Sequence, residues 1–186
     1  FAKYGVTTIM DPLLDPEEEA IDAIKELNDE GKLICKMRGA FKSAEAEPYK
    51  HIDDFARIRE EVDSHMFKIE QVKMFADGVV EGKTAYLKEP YEGEDYTGDP
   101  IWEPGAMSEF CKKVDALDFD IHVHSIGDAA TAMTLAALDA MQAADSDRDR
   151  RPVITHLQVE DPEDYTRLVE HKVAAVPNSY WHFKYR

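Results

Sequence analysis

The sequence has no apolar run of about 18 residues, so it holds no candidate for a helix that spans a membrane. It is also short of positive charge. The 22 Lys and Arg stand against 39 Asp and Glu, leaving a formal net charge of −17 at pH 7. Nucleic acid is excluded as a partner on this ground, because binding a phosphate backbone needs clustered cations. Attraction to an anionic membrane surface is excluded for the same reason. Cysteine is scarce, with Cys35 and Cys111 far apart in the chain. They read as inert thiols of a reducing, cytoplasmic compartment, with one disulfide bridge as the alternative. No low-complexity tract is present. No signal peptide opens the chain, which starts at Phe1 rather than Met, and the expectation is a piece of a longer protein.

What is present is a foldable core. Apolar residues make up 44% of the chain, enough to argue against disorder despite the charge. The period of the apolar pattern switches repeatedly between two values. Strand-like runs lie at Val6–Met10, Leu33–Phe41, Gln71–Val80, Phe119–His124, Pro152–Val159 and Val173–Val176. Helical stretches separate them. Asp15-Pro16-Glu17-Glu18 reads as a helix opening, with Asp15 at the N-cap, Pro16 at the first helical position and Gly31 as the stop. Asp161-Pro162-Glu163-Asp164 repeats that opening. Further helices are expected at Asp53–Met66, Gly105–Leu117 and Asp128–Ala143. Such alternation predicts an α/β fold of parallel strands with helical crossovers. The stretch Glu81–Pro104, rich in Gly, Pro, Tyr and acids, is either a functional loop or a disordered insertion.

Three segments carry candidate chemistry. In Asp120-Ile121-His122-Val123-His124-Ser125, alternation puts His122 and His124 on one face and the apolar residues on the other. Two imidazoles on one face at a strand end suit a first-row metal, or a pair of hydrogen-bonded structural histidines. His156 lies near the end of the next strand, 32 residues after His124. That distance is about one βα repeat, so the two strand ends should be neighbours. Lys73 sits inside Gln71-Val72-Lys73-Met74-Phe75-Ala76-Asp77-Gly78, on the face of Phe75 and Asp77. A lysine in a buried strand must be paired or neutralised. An ion pair with Asp77 or another acid is one solution; a lowered pKa that allows carbamate formation with CO2 is the other.

Taken together these segments resemble amidohydrolase family 3, metal-dependent hydrolases of the amidohydrolase superfamily, some labelled exoenzyme-regulatory proteins. Val72-Lys73-Met74-Phe75-Ala76-Asp77-Gly78-Val79-Val80 is similar to the family's lysine strand. His122-Val123-His124-Ser125-Ile126-Gly127-Asp128 is similar to its H-A-I-G-D segment, and Ile154-Thr155-His156-Leu157-Gln158 to its I-E-H-x-Q segment. Thr84 to Tyr91 and the Pro177 to Trp181 tail also match, so the resemblance covers nearly the whole chain. It implies a (β/α)8 barrel with one or two divalent ions, Zn2+ being expected, at the carboxyl ends of the strands. Lys73 would be the carboxylated bridging lysine, and His124 and His156 would be the ligands of the next two strands. His122 is not counted as a ligand, and Asp77, Gly127 and Asp128 would shape the site.

The first strand resembles strand two of such a barrel and the last resembles strand seven. The resemblance therefore implies that residues 1–186 form a partial barrel of about six βα units without a second domain. The family's strand-one HxH pair and the aspartate after strand eight are not in this sequence. The expected chemistry of the parent is hydrolysis of a C–N bond in a small-molecule substrate by metal-activated water. The piece itself is expected to be inactive, to hold metal weakly or not at all, and to be able to dimerise through open sheet edges. Arg38, inward-facing by alternation, is a substrate contact or a structural salt bridge. The rival readings are a catalytically dead regulatory or interaction module and an open α/β binder whose strand order reverses at a switch point.

Overall fold

The computed structural model describes residues 1–44, 46–103 and 105–182. The six strands of the sheet stand in chain order, with no reversal, which removes the open switch-point reading. The chain forms two compact units, Phe1–Lys73 and Met74–Arg186.

The first unit holds β1 (Thr8–Leu14), α1 (Ala20–Asp29), β2 (Lys36–Lys42), α2 (Ile52–Val62) and most of β3 (Phe67–Phe75). The strands pair in parallel, Ile9 beside Met37 and Met37 beside Phe67. β1 runs four residues further than Met10, through Pro12. An edge strand tolerates a proline because one side of it needs no ladder. The register shifts between Asp11 and Leu14, and the Leu13 N–H turns to the Asp11 carboxylate at 3.1 Å.

The Asp15 opening is a turn rather than a first helical turn. The Asp15 carboxylate accepts the Glu17 N–H at 2.9 Å, and α1 starts only at Ala20. The expected stop at Gly31 is there. Gly31 sits at φ 68°, and the Lys32 N–H reaches back to the Leu27 carbonyl, which closes the helix end as a Schellman turn. Ile52, Phe55, Ile58 and Val62 of α2 are buried, with Phe55 stacked on Phe41 of β2 at 4.5 Å between ring centres.

The second unit contains the last residues of β3, then α3 (Ala106–Asp115), β4 (Asp120–Ser125), α4 (Asp128–Ala144), β5 (Val153–His156), α5 (Tyr165–Glu170) and β6 (Ala174–Pro177). β4, β5 and β6 are parallel, with His124 beside Thr155 and His156 beside Pro177. Met107, Phe110, Cys111 and Val114 of α3 and Leu135, Leu138 and Met141 of α4 bury their side chains together with Phe119, Ile121 and Val123. Both cysteines are free and buried.

At the amino ends of β4 and β5, Arg150 forks onto Asp115, Nε to Oδ1 at 2.8 Å and an Nη to Oδ2 at 2.5 Å. Arg148 joins the same carboxylate at 2.7 Å and Asp120 at 3.1 Å. Asp161 caps as expected, accepting the Glu163 N–H, but the residues after it form a single 3-10 turn, Pro162–Asp164, before α5.

Other strands also depart from their expected bounds, β2 covering Lys36–Lys42 rather than Leu33–Phe41. β3 begins at Phe67 and ends at Phe75, because Asp77 and Gly78 leave the ladder to hold the following loop. β5 ends at His156, where the backbone leaves the extended region. The stretch 81–103 is an ordered loop; Pro104 lies outside the described residues. The Leu87 N–H meets the Thr97 carbonyl at 2.7 Å, the Tyr91 N–H meets the Tyr96 carbonyl at 2.9 Å, and the Tyr91 hydroxyl meets the Ala85 carbonyl at 2.8 Å. Among the described residues no helix is long and apolar enough to cross a membrane.

Candidate active site

The carboxyl ends of β4 and β5 bring His124 and His156 together. Their rings meet edge to face with 4.5 Å between centres. His124 is 6% exposed, and the Phe75 ring centre is 5.0 Å from its own. Its Nε2 is 2.8 Å from the Gly78 carbonyl oxygen. A carbonyl only accepts, so the proton sits on Nε2 and the lone pair on Nδ1. His156 is fixed in the opposite sense. Its Nδ1 lies 2.8 Å from Asn178 Oδ1, which places the proton on Nδ1 and the lone pair on Nε2. Its ring also stacks on Trp181, 4.5 Å between centres. Two neighbouring imidazoles, each oriented by an oxygen acceptor on the other ring nitrogen, are the arrangement by which histidines are prepared for a metal.

The backbone at His156 is unusual. His156 has φ 84° and Leu157 φ 47°, both in the left-handed region that non-glycine residues avoid. Such strain costs about 1–3 kcal/mol per residue and collects at functional sites. The Leu157 N–H donates to the Ser125 carbonyl and the Val159 N–H to the Ile126 carbonyl, so the chain is held against β4 while His156 turns.

Asp77 is the hub of this end of the sheet. It is 1% exposed. Its Oδ1 accepts the Ile126 N–H at 3.0 Å, and its Oδ2 accepts the Gly127 N–H at 2.8 Å and the Tyr86 N–H at 2.9 Å. Burial pushes its pKa up, while the three amide donors pull it down; burial is the larger effect. The carboxylate thereby ties the β4–α4 turn to the long loop. Gly127 has to be a glycine at this junction, since a Cβ there would lie 1.9 Å from the Tyr86 carbonyl oxygen.

Lys73 lies on β3 and is 4% exposed, with its carbonyl accepting the Ser43 N–H at 2.9 Å. His122 is buried, two residues before His124 on β4. Arg38 is half-buried and spends its guanidinium on the carbonyls of Met37 and His65 and, at 4.0 Å, on Glu70. These contacts match the structural alternative for that residue.

Residue-type patterns did not reveal a second cluster beside the histidines. Asp128 Oδ1 accepts the Lys88 backbone N–H at 2.9 Å. The Lys88 ammonium bridges Asp161 at 2.6 Å and Asp164 at 3.0 Å, and the bond to Asp161 holds its pKa above the ordinary lysine value. Glu160 accepts a hydrogen bond from the Thr131 hydroxyl at 3.0 Å, and that hydroxyl lies 2.9 Å from Ser125 Oγ. Burial, reinforced by the nearby Asp164 and Asp128, raises the Glu160 pKa to about 7. The DPED sequence signals a cap, and nothing in it signals that a lysine 73 positions earlier seats there.

The model of a family described as "Amidohydrolase family" matches residues 1–178. Exoenzymes regulatory protein AepA of Pectobacterium carotovorum is 28% identical over 92% of this chain and 36% of its own length. Protein LONG AFTER FAR-RED 3 of Arabidopsis thaliana is 34% identical over 56% of this chain and 18% of its own. The crystal structure of an uncharacterized metal-dependent hydrolase from Pyrococcus horikoshii superposes with a TM-score of 0.74 at 23% identity, over 94% of this chain and 33% of that one. The counterpart from Pyrococcus furiosus gives 0.70 over 90% and 33%. This chain thus spans about a third or less of the length of these proteins, and at that identity the two structures speak to the fold, a partial (β/α)8 barrel. With the family's model matched over nearly its full length, the chain belongs to the amidohydrolase family.

Proposed function

We propose that this chain is part of a metal-dependent hydrolase that cleaves a C–N bond of amide type in a small molecule. The single observation that carries the reading is the His124–His156 pair, 4.5 Å between ring centres and each fixed in tautomer by an oxygen acceptor. The donor set suits a divalent first-row ion, Zn2+ being one that imidazole nitrogens bind well. His124 through Nδ1 and His156 through Nε2 would hold it. Lys73, as its carbamate, would be the third ligand on the strength of its motif and its burial. When bound, such an ion lowers the pKa of a water to about 7 and polarises the scissile carbonyl. The protein's own part is to orient the imidazoles and keep bulk water off them. Phe75, Trp181 and the buried wall of β4 supply that shelter.

Elemental analysis of the full-length protein, expressed with bicarbonate present, tests this against a Lys73→Ala variant. Stoichiometric divalent metal in the wild type and its loss in the variant support the reading. Equal metal in both removes Lys73 from the site, and no metal in the wild type ends the proposal. That the relative AepA is an exoenzymes regulatory protein favours a second reading, a module that keeps the fold without the activity. A metal-loaded full-length protein that cleaves no amide of a broad panel would support it.

A further inference from the structure

The proton on His124 is placed by a backbone peptide, and that peptide is itself clamped. Gly78 offers its carbonyl oxygen to His124 Nε2 at 2.8 Å. The same peptide unit carries the Val79 N–H, which donates to Thr84 Oγ1 at 2.9 Å. The Gly78 N–H, on the preceding peptide, donates to the Thr84 carbonyl at 2.9 Å. Thr84 therefore holds the Gly78–Val79 plane from the side opposite the histidine. The fit is close, because a Cβ on Gly78 would meet Thr84 Oγ1 at 2.1 Å. Asp77 fixes what lies on either side. Its carboxylate draws in the Ile126 and Gly127 amides, two and three residues beyond His124, and the Tyr86 amide two residues beyond Thr84. Its Oδ1 is also 3.6 Å from His124 Nε2, where a negative charge favours a proton on that nitrogen.

We infer that Asp77 and Thr84 are positioning residues that lock His124 in the Nε2–H tautomer and so keep the Nδ1 lone pair directed at the metal. The tautomer part stands on the geometry alone; the metal part rests on the function proposed above. A carboxylate that only stapled loops would have no need to lie 3.6 Å from His124 Nε2. A hydroxyl that only capped a turn would not share a peptide plane with the acceptor of a buried imidazole.

Long-range 15N–1H correlation spectra of metal-free, histidine-labelled protein read the tautomer directly. Zn2+ titration against a competing chelator reads the affinity. Wild type should show His124 as one Nε2–H species. Asp77→Asn replaces an acceptor of three amides by a group with one acceptor atom, and should give mixed tautomers with Zn2+ binding weakened about 10–100-fold. Thr84→Val is the second variant. Thr84 is exposed, so the substitution should leave the fold intact and still release the peptide. It should shift the tautomer in the same direction, and Thr84→Ser should restore the wild-type spectrum. An unchanged His124 tautomer in Thr84→Val, or a wild-type tautomer with the proton on Nδ1, would overturn the inference. A shifted tautomer with unchanged Zn2+ affinity would overturn its link to the metal. A wild type that binds no Zn2+ yet shows the Nε2–H species would sink the metal centre and leave the clamp standing.

Discussion

Replacing Glu160 by Gln should change how stability depends on pH. Glu160 Oε1 receives the Thr131 hydroxyl, while Oε2 is buried and has no hydrogen-bond partner among the described residues. Its pKa rises from 4.5 to about 7, first through burial and then through Asp164 and Asp128, with Lys88 opposing. The folded state thus holds this proton more tightly than the unfolded chain does. Below pH 4.5 both states are protonated and the group contributes in full. Between pH 4.5 and about 7 the unfolded chain ionises first, and stability drains away as pH rises. A shift of this size sets a ceiling of about 3 kcal/mol. Partial exposure to solvent lowers the expected loss to about 1–2 kcal/mol. Glutamine keeps the size and the acceptor for Thr131 but cannot ionise. Urea denaturation of both proteins from pH 4.5 to 8 should show them converging at the acid end, with the variant gaining about 1–2 kcal/mol on the wild type by pH 8. Parallel curves across that window would refute the assignment of a bound proton to Glu160.

Asp115→Ala leaves the guanidiniums of Arg148 and Arg150 facing each other without their shared carboxylate, and should cost about 3–5 kcal/mol in denaturant unfolding. Gly127→Ala drives a methyl group into the Tyr86 carbonyl and should expose the 81–103 loop to limited proteolysis, with a stability loss on the order of 1–3 kcal/mol. The Cys111 thiol is fully buried and burial pushes its pKa up to about 12. It should react with an aromatic disulfide reagent only at the rate of global unfolding, which a comparison of labelling in native buffer and in urea will show.

The alternation of elements was legible because β4, α2 and α4 are buried in the pattern their periods dictate. Their observed bounds, Asp120–Ser125, Ile52–Val62 and Asp128–Ala144, overlap the expected ones closely at all but the carboxyl end of α2. The misread boundaries at Asp15, Asp77 and His156 have two causes. At Asp15 and Asp77 a carboxylate captures backbone amides, and at His156 the backbone enters the left-handed region. At Asp15 the partner is local, Glu17, but the choice at Asp77 depends on partners far along the chain, such as Gly127, 50 positions on. Local propensity cannot register them. His124 and His156 were legible as a pair because one βα repeat separates them. Lys88, Thr131 and Glu160 were not, since none stands at a spacing that announces a neighbour.

The polar groups of the second unit divide by where they lie along the strands. At the amino ends of β4 and β5 the ionic cluster of Asp115, Arg148 and Arg150 joins α3 to the segment between α4 and β5. Every charge there has a partner of opposite sign, as expected of a group whose role is to hold elements in place. At the carboxyl ends the balance is different. Glu160 is held near neutrality by burial, Asp77 is buried and spent on three amides, and His156 sits in a strained backbone conformation. Each of these costs stability that the amino-end cluster and the buried faces of α3 and α4 must offset. A fold selected for stability alone would have no reason to keep strain, a raised carboxyl and two tautomer-fixed imidazoles at one end of the same strands. In barrels of this lineage the carboxyl end is where chemistry is done and the amino end is where stability is secured. The placement of these costs within one 113-residue unit follows that division.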